Sequence, residues 1–452
     1  MQLSAAARTL EARLDGADAR FLGVSTDTRT LAPGQLFFAL RGPRFDAHDM
    51  IPAALAAGAA GAVVERAVDT ALPTIEVADS RRALGVLARS WRARFSIPVI
   101  AVTGSAGKTT VKEMVAAIMA VEHRVLATRG NLNNDIGVPL TLFELGAEHE
   151  AAVIEMGANR AGDIADLCTI ARPTVGVVTL CAPVHLEGFG DIETVARTKG
   201  QIVSSLGADG VAVINDDDAF APLWRELAGS RRTIGFGLGA ASEVRASDLA
   251  VGVDGASFTL HVGGTSGRAR IAHPGTHNVR NALAAAAAAS AAGVTFETVV
   301  RGLAAARPVG GRLQTRRGPH GARIIDDSYN ANPTALLAAL DVLAAHPAPR
   351  WLVLGDMGEL GAEAARFHRE AGAAAARAGV ARLFTFGPLA AGAHAGFGGP
   401  VAGFDSHEAL TDALVEALAS CDETVSVLIK GSRAVALDRV AVALERVEDV
   451  QC

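Results

Sequence analysis

The stretch Val99-Ile-Ala-Val-Thr-Gly-Ser-Ala-Gly-Lys-Thr-Thr110 decides the fold, because an apolar strand runs straight into a glycine-containing turn, a lysine, two threonines and a helix. Residues Ile97 to Val102 favour a strand apart from Pro98 and Ala101, and Val111 to Ala120 suit a helix that carries Lys112 and Glu113. Between them, Gly104 and Gly107 let the backbone fold tightly around an anion. Such a turn holds a nucleoside triphosphate. Amides of Gly104, Ser105, Ala106 and Gly107 and the positive helix end face the phosphates, Lys108 neutralises the outer ones, and Thr109, followed by Thr110, offers a hydroxyl to magnesium. The usual spacing puts a first glycine at position 102, where this chain has Val102, so the loop is a variant. A plain strand-to-helix connection would leave Lys108 and the paired threonines without a reason.

A chain of 452 residues is too long for one ordinary core, and its length suggests about three domains. Half of it is apolar but only 4% is aromatic, so the cores should be aliphatic with close helix contacts. A net charge of −6 provides no basic footprint for nucleic acid. The N-terminal run reaches Glu11 and Arg13 before any apolar segment of signal length has formed, and it reads as a surface helix. Alanine-rich runs such as Ala282 to Ala292 are too short and too weakly hydrophobic to span a bilayer, so a soluble protein without membrane insertion is expected. Cys168, Cys181, Cys421 and Cys452 form no Cys-x-x-Cys pair, which fits a reducing cytoplasm.

Around the decisive stretch the pattern is α/β. Residues 1–82 read as a compact domain with strands at Gln35 to Leu40, Ala62 to Glu65 and Thr74 to Val77 and a helix at Ile51 to Gly58. A helix follows Arg81 and Arg82 through Ala93. Residues 83–312 alternate strand and helix, with apolar runs at Ala151 to Met156, Val175 to Leu180 and Gly210 to Asn215. This alternation predicts a mostly parallel sheet covered on both faces. The segment Glu243 to Ala272 reads instead as short strands, a small antiparallel addition. Residues 313–452 form a third, Rossmann-like unit with strands at Arg323 to Asp327, Arg350 to Gly355, Arg382 to Gly387 and Val425 to Lys430. Ligands in such sheets sit at the carboxyl ends of the strands.

Two strand ends of the central unit carry Glu155 and His185, which beside Thr109 would suit a hard divalent cation bridging phosphates. Viewed alone, His185 is an ordinary loop or core-edge histidine and Lys199 an ordinary solvated lysine. The order of several motifs resolves these cases. The loop at Thr103, Gly130-Asn-Leu-Asn-Asn-Asp-Ile-Gly137, Glu155-Met-Gly-Ala158, Gly275-Thr-His-Asn-Val-Arg-Asn281, Gly311-Arg-Leu313 and Asp326-Asp-Ser-Tyr-Asn-Ala-Asn-Pro333 resemble, in sequence and order, the Mur ligases, the ATP-dependent amide ligases that build the peptide of bacterial wall precursors. Asp27-Thr-Arg29, Pro33-Gly-Gln-Leu-Phe37, Leu354-Gly-Asp-Met-Gly-Glu-Leu-Gly361 and Lys430-Gly-Ser-Arg433 direct that resemblance to the branch that adds a dipeptide.

The resemblance implies a cytoplasmic, monomeric ligase that uses ATP and Mg2+ to join D-alanyl-D-alanine to UDP-N-acetylmuramoyl-tripeptide through an acyl phosphate. By the same resemblance, residues 1–82 bind the UDP-muramoyl end, 83–312 bind ATP, and 313–452 bind the dipeptide and close over the site. Lys108 and Thr109 would hold the triphosphate and a first magnesium, Glu155 would ligate that ion, and His185 a second one. Lys199 falls where most Mur ligases carry a carbamylated lysine, an anion able to sit beside magnesium where a bare ammonium would be repelled. Asn278 and Asn281 fall where the family contacts the nucleotide, and His277 where it positions that turn. Arg312 and Asp327 would meet ATP on domain closure. Ser25, Asp27, Arg29, Asn133, Asn134, Asn330, Asn332 and Arg433 are implied substrate residues, with Asp356 at a strand end facing the cleft.

Three positions depart from the expected patterns. Besides Val102, Ala47 stands where related ligases usually have glycine, and Tyr329, the sole tyrosine, where others have lysine or histidine. Two roles are open to Tyr329: a ring packed on the nucleotide or on Arg312, or a direct part in catalysis. The alternatives are a sister ligase that adds a diamino acid, whose usual Asp-Asn-Pro-Arg is missing here, a folylpolyglutamate synthetase, or a non-ligase NTPase using the same loop.

Overall fold

The computed structural model describes residues 1–43, 45–184 and 186–451, so that Arg44, His185 and Cys452 lie outside the described residues. Among the described residues three large sheets follow one another along the chain, each covered by helices, and a two-stranded ribbon pairs Arg41–Gly42 with Phe45–Asp46 beside the first.

In the first, the strand order is Arg13–Asp15, Thr74–Glu76, Gly61–Val64, Gln35–Phe38 and Gly23–Ser25, with only the first pair antiparallel. The N-terminal helix Leu3–Thr9 is not simply a surface helix: Leu3, Ala6 and Ala7 are buried against Leu36, Phe38 and Ile75. The helix Ser80–Arg92 starts where the Asp79 carboxylate accepts from the Arg82 amide at 2.9 Å. It belongs to two cores at once. Leu84 and Leu87 pack under the first sheet, while the Trp91 indole donates to Leu145 O at 3.1 Å and the Arg92 Nε to Ala171 O at 3.1 Å.

The central sheet has nine strands. From Val125–Ala127 inward the order is Ala151–Glu155, Val99–Thr103, Val175–Val178, Val211–Asn215 and Arg232–Gly237, all parallel. The sequence suggested a small antiparallel addition at Glu243 to Ala272. The strands Val244–Gly252, Gly255–Val262 and Thr265–Ile271 are that addition, an antiparallel meander that extends this same sheet, its first strand pairing parallel with Arg232–Gly237. Their alternating burial gives the period-2 pattern, and the turn glycines make the reversals. The helices Lys108–Met119, Thr276–Ala291 and Phe296–Ala305 cover one face. There Ala284 to Ala289 are all fully buried, and a Cβ on Gly302 would come within 2.3 Å of Ile118 Cα, so small residues set the helix spacing. This accounts for a large core with few aromatic rings.

The third sheet runs Gln314–Arg317, Arg323–Asp327, Ser426–Lys430, Arg350–Gly355, Arg382–Phe386 and Val401–Phe404, parallel after the first pair. The last strand in the chain is inserted beside the second. That insertion sets Asp327 opposite Lys430 at the carboxyl ends, where this fold class binds ligands. Among the described residues no helix is long and apolar enough to cross a membrane.

Candidate active site

The parallel register places Thr103 between Val178 and Glu155's strand, so the loop that follows opens beside the Glu155 carboxylate. Gly104 has φ +148°, and a Cβ there would lie 1.9 Å from Thr179 Oγ1. The Thr179 hydroxyl donates to Ala106 O at 2.6 Å, and the Ser105 amide donates to Leu180 O at 2.9 Å, which pins the turn from the neighbouring strand. Gly107, at φ +80°, starts the Lys108–Met119 helix, and a Cβ there would meet Asn281 Oδ1 at 2.5 Å. Asn281 Nδ2 donates to Asn278 Oδ1 at 2.9 Å, and Asn278 Nδ2 to Pro274 O at 2.7 Å, so the two asparagines are held in one chain beside the loop. Lys108 Nζ donates to Gly104 O at 2.9 Å and thereby lies back over its own loop. Burial pulls its pKa down, Glu155 opposes this, and Arg312 adds to it. Backbone that only glycine can follow, capped by a lysine at a helix N-terminus, fits a phosphate chain.

Beyond the loop, Thr109 Oγ1 donates to Glu155 Oε2 at 2.7 Å, and Asn133 Nδ2 donates to Glu155 Oε1 at 2.7 Å. Arg312 Nη2 in turn donates to Thr109 Oγ1 at 2.8 Å, while its Nε is buried without a partner. A hydroxyl and one carboxylate are a sparse donor set, and among the described residues no group of three His, Cys, Asp or Glu could hold a metal. The set fits magnesium nonetheless, since that ion is usually held by one or two carboxylates together with phosphate oxygens and water. His185 lies outside the described residues. Lys199, on the helix Ile192–Ser204, is 1% exposed and does not line the cavity; its ammonium lies 5.7 Å from the Phe189 ring centre. Burial, reinforced by Lys108, pulls its pKa down to about 7, with Cys181 and Asp163 opposing.

Facing the loop across a cavity of about 680 Å³ is a wall from the third sheet. The Arg312 guanidinium stacks 4.2 Å from the Tyr329 ring centre, with Arg433 at 5.8 Å from the same ring. Lys430 Nζ pairs with Asp327 and also donates to Asn330 O at 3.0 Å. Burial pushes the Asp327 carboxyl up, and Lys430 opposes this. The same cavity takes in Ser105 to Thr110, Asn133, Glu155, Asn278 and Asn281 on one side, and Arg312, Asp327, Asn330, Asn332 and Arg433 on the other. Asn332 has a second task, because its Oδ1 accepts from the Ala335 amide at 2.8 Å and caps the helix Pro333–Ala344.

Other residues implied by the sequence lie elsewhere. Asn134 does not line the cavity; its Oδ1 accepts from the Gly137 amide at 2.8 Å at the start of a helix. Asp356 also lies outside the lining, and its Oδ1 accepts from the Ala390 amide at 2.7 Å. Ser25, Asp27 and Arg29 sit on the first domain, away from the cavity. There Ser25 Oγ donates to Asp27 O at 3.0 Å, and Arg29 holds the Asp27 carboxyl down to about 2.

Sequence reasoning passed over Lys430, Thr179 and His273 as cavity residues. Lys430 stood in the quoted Lys-Gly-Ser-Arg motif at a strand end, and that position was its only signal. His273 is 4% exposed with an unpartnered Nδ1, and burial lowers its pKa to about 4.

Comparison with known proteins covers the chain almost from end to end. Residues 20–120 match the model for the Mur ligase family catalytic domain, 102–289 that for the Mur ligase middle domain, and 311–433 that for the glutamate ligase domain of Mur ligases. The UDP-N-acetylmuramoyl-tripeptide–D-alanyl-D-alanine ligase of Escherichia coli K12 is 42% identical over 440 residues, 96% of each chain. A crystal structure of MurF from Acinetobacter baumannii superimposes with a TM-score of 0.92 at 34% identity, over 98% of both chains. MurF from Thermotoga maritima in complex with ADP gives 0.83 at 29% identity, over 95% of this chain and 98% of that one.

Proposed function

The chain belongs to the Mur ligase family of ATP-dependent ligases, and we propose that it joins D-alanyl-D-alanine to UDP-N-acetylmuramoyl-tripeptide. The match over 96% of both chains to a ligase of that specificity carries this reading. The cavity between loop and third-domain wall supports it, because it offers a place where a phosphorylated carboxylate and an amine can meet. Its product would supply wall peptide, and the reaction would run in the cytoplasm, where ATP and UDP-linked precursors occur together.

ATP, when bound, supplies the phosphoryl group that activates the tripeptide carboxylate as an acyl phosphate. Lys108 and the loop amides would bind and orient the phosphates, placing fixed positive charge where negative charge develops in transfer. Thr109 and Glu155 would hold magnesium, with Asn133 aiming the carboxylate; His185 and a carbamylated Lys199 would serve a second ion. A pKa near 7 leaves the Lys199 amine largely neutral above that pH, the form that reacts with carbon dioxide. Asn278, Asn281, Arg312 and Asp327 would contact the nucleotide. Residues 1–82, through Ser25, Asp27 and Arg29, would bind the uridine end. Residues 313–452 would bind the dipeptide, with Asn330 and Asn332 lining its path and Arg433 pairing with its free carboxylate. The Arg312–Thr109 hydrogen bond ties the wall to the loop, and closure of the wall over the loop would exclude water from the activated carboxyl group.

A coupled assay tests this. Phosphate should be released from ATP only when both UDP-N-acetylmuramoyl-tripeptide and D-alanyl-D-alanine are present, in step with amide formation. Comparable kcat/KM values for a diamino acid and the dipeptide would overturn the substrate assignment. ATP hydrolysis indifferent to both substrates would overturn the ligase reading.

A further inference from the structure

Tyr329 stands two residues beyond Asp327, and its backbone is tied to the hinge between the second and third domains. Its amide donates to Gly311 O at 3.1 Å, and a Cβ on Gly311 would lie 3.2 Å from Tyr329 Cβ. Two guanidinium groups from different segments face the Tyr329 ring: Arg312 at 4.2 Å, from the hinge itself, and Arg433 at 5.8 Å, from the turn after the last strand. Arg312 already reaches the phosphate loop through Thr109, while Arg433 is largely exposed and held only loosely by Asp438 at 3.3 Å. Two like charges drawn toward one neutral ring repel each other. An aromatic face offsets that repulsion by about 0.5–2 kcal/mol per contact.

We propose that the Tyr329 ring is a positioning platform that couples the two substrate sides, holding Arg312 toward the nucleotide and Arg433 toward the dipeptide carboxylate in one arrangement. This rests on the ligase reading above. Binding of an anion beside either arginine favours the arrangement in which the other is also placed, so nucleotide and dipeptide reinforce each other's binding. The ring makes both contacts, so the hydroxyl is dispensable for the coupling.

The test measures affinity of the full chain for a non-hydrolysable ATP analogue by calorimetry, with and without saturating D-alanyl-D-alanine. The wild type should bind the analogue at least about fivefold more tightly when the dipeptide is present. Tyr329→Phe should keep that factor, and Tyr329→Leu should reduce it below about twofold. Tyr329→Met is a second ringless variant should Tyr329→Leu not fold. Undiminished coupling in the ringless variants, equal loss in Tyr329→Phe, or no coupling in the wild type would each overturn the proposal. Wild-type product formation in the same preparations separates the two ideas. Product without ring-dependent coupling sinks the platform alone, whereas no product from the dipeptide sinks the ligase reading.

Discussion

The phosphate loop and the third-domain wall face each other across one cavity, yet they are built in opposite ways. The loop is backbone from the single run Thr103–Thr109, shaped by two positive-φ glycines and pinned by neighbours such as Thr179 and Asn281. The wall is side chains drawn from positions as far apart as Arg312 and Arg433, held by an ion pair, a stacked ring and one bond across the cleft. The loop's weakness is therefore steric, since any Cβ at Gly104 or Gly107 collides. The wall's weakness is electrostatic, since removing one charge strands its partner.

The largest effect should come from Lys108→Ala, which removes the loop's one mobile charge. A fall in kcat of about 10³-fold with an unchanged unfolding midpoint is expected from steady-state kinetics and thermal melts. Near-wild-type turnover would mean that backbone amides alone suffice. On the wall, Lys430→Met leaves Asp327 without its cation in a buried position. Denaturant unfolding should show a loss of about 3 kcal/mol. An unchanged midpoint would indicate that Asp327 already accepts a proton at no cost, in line with the upward push of burial on its carboxyl. Gly107→Ala combines the +80° φ with the Asn281 contact. Strain of about 1–2 kcal/mol should weaken nucleotide binding roughly tenfold while leaving dipeptide binding alone unchanged. Equal losses for both ligands would erase the distinction between the two walls.

The smallest effect is a pH slope. His273 has its pKa lowered from 6.5 to about 4, so the unfolded chain binds the extra proton between those values and the folded chain does not. Stability should then fall as pH drops through that window, by about 1.4 kcal/mol per unit at most. His273→Leu should flatten the slope between pH 6 and pH 5, as read by urea midpoints. His277, also lowered to about 4, keeps its own contribution. An identical slope in the variant would show that His273 is solvated in the folded state.

Much of this was legible in the chain. The strands Arg323–Asp327 and Arg350–Gly355 lie where apolar runs end in glycine or acid, and Gly104 and Gly107 take the positive φ their turn required. Strands such as Arg13–Asp15 and Val125–Ala127 escaped notice because three residues carry almost no periodic signal. The antiparallel strands expected at Glu243 to Ala272 are present, but their junction with the central sheet was not legible, because alternation reports a half-buried strand without saying which sheet it joins.

Local order thus fixed what local forces decide: which runs become strands, where a glycine must bend, and where a lysine meets a helix end. Adjacency across the sheet belonged to the tertiary structure alone. Asp327 and Lys430 are partners only because the last strand is inserted beside the second strand of its sheet. Tyr329 meets Arg312 and Arg433 only because the hinge and the final turn converge on one ring. Parallel strands must be joined by crossovers, so neighbours in the sheet are strangers in the sequence, and no spacing between residues records their contact.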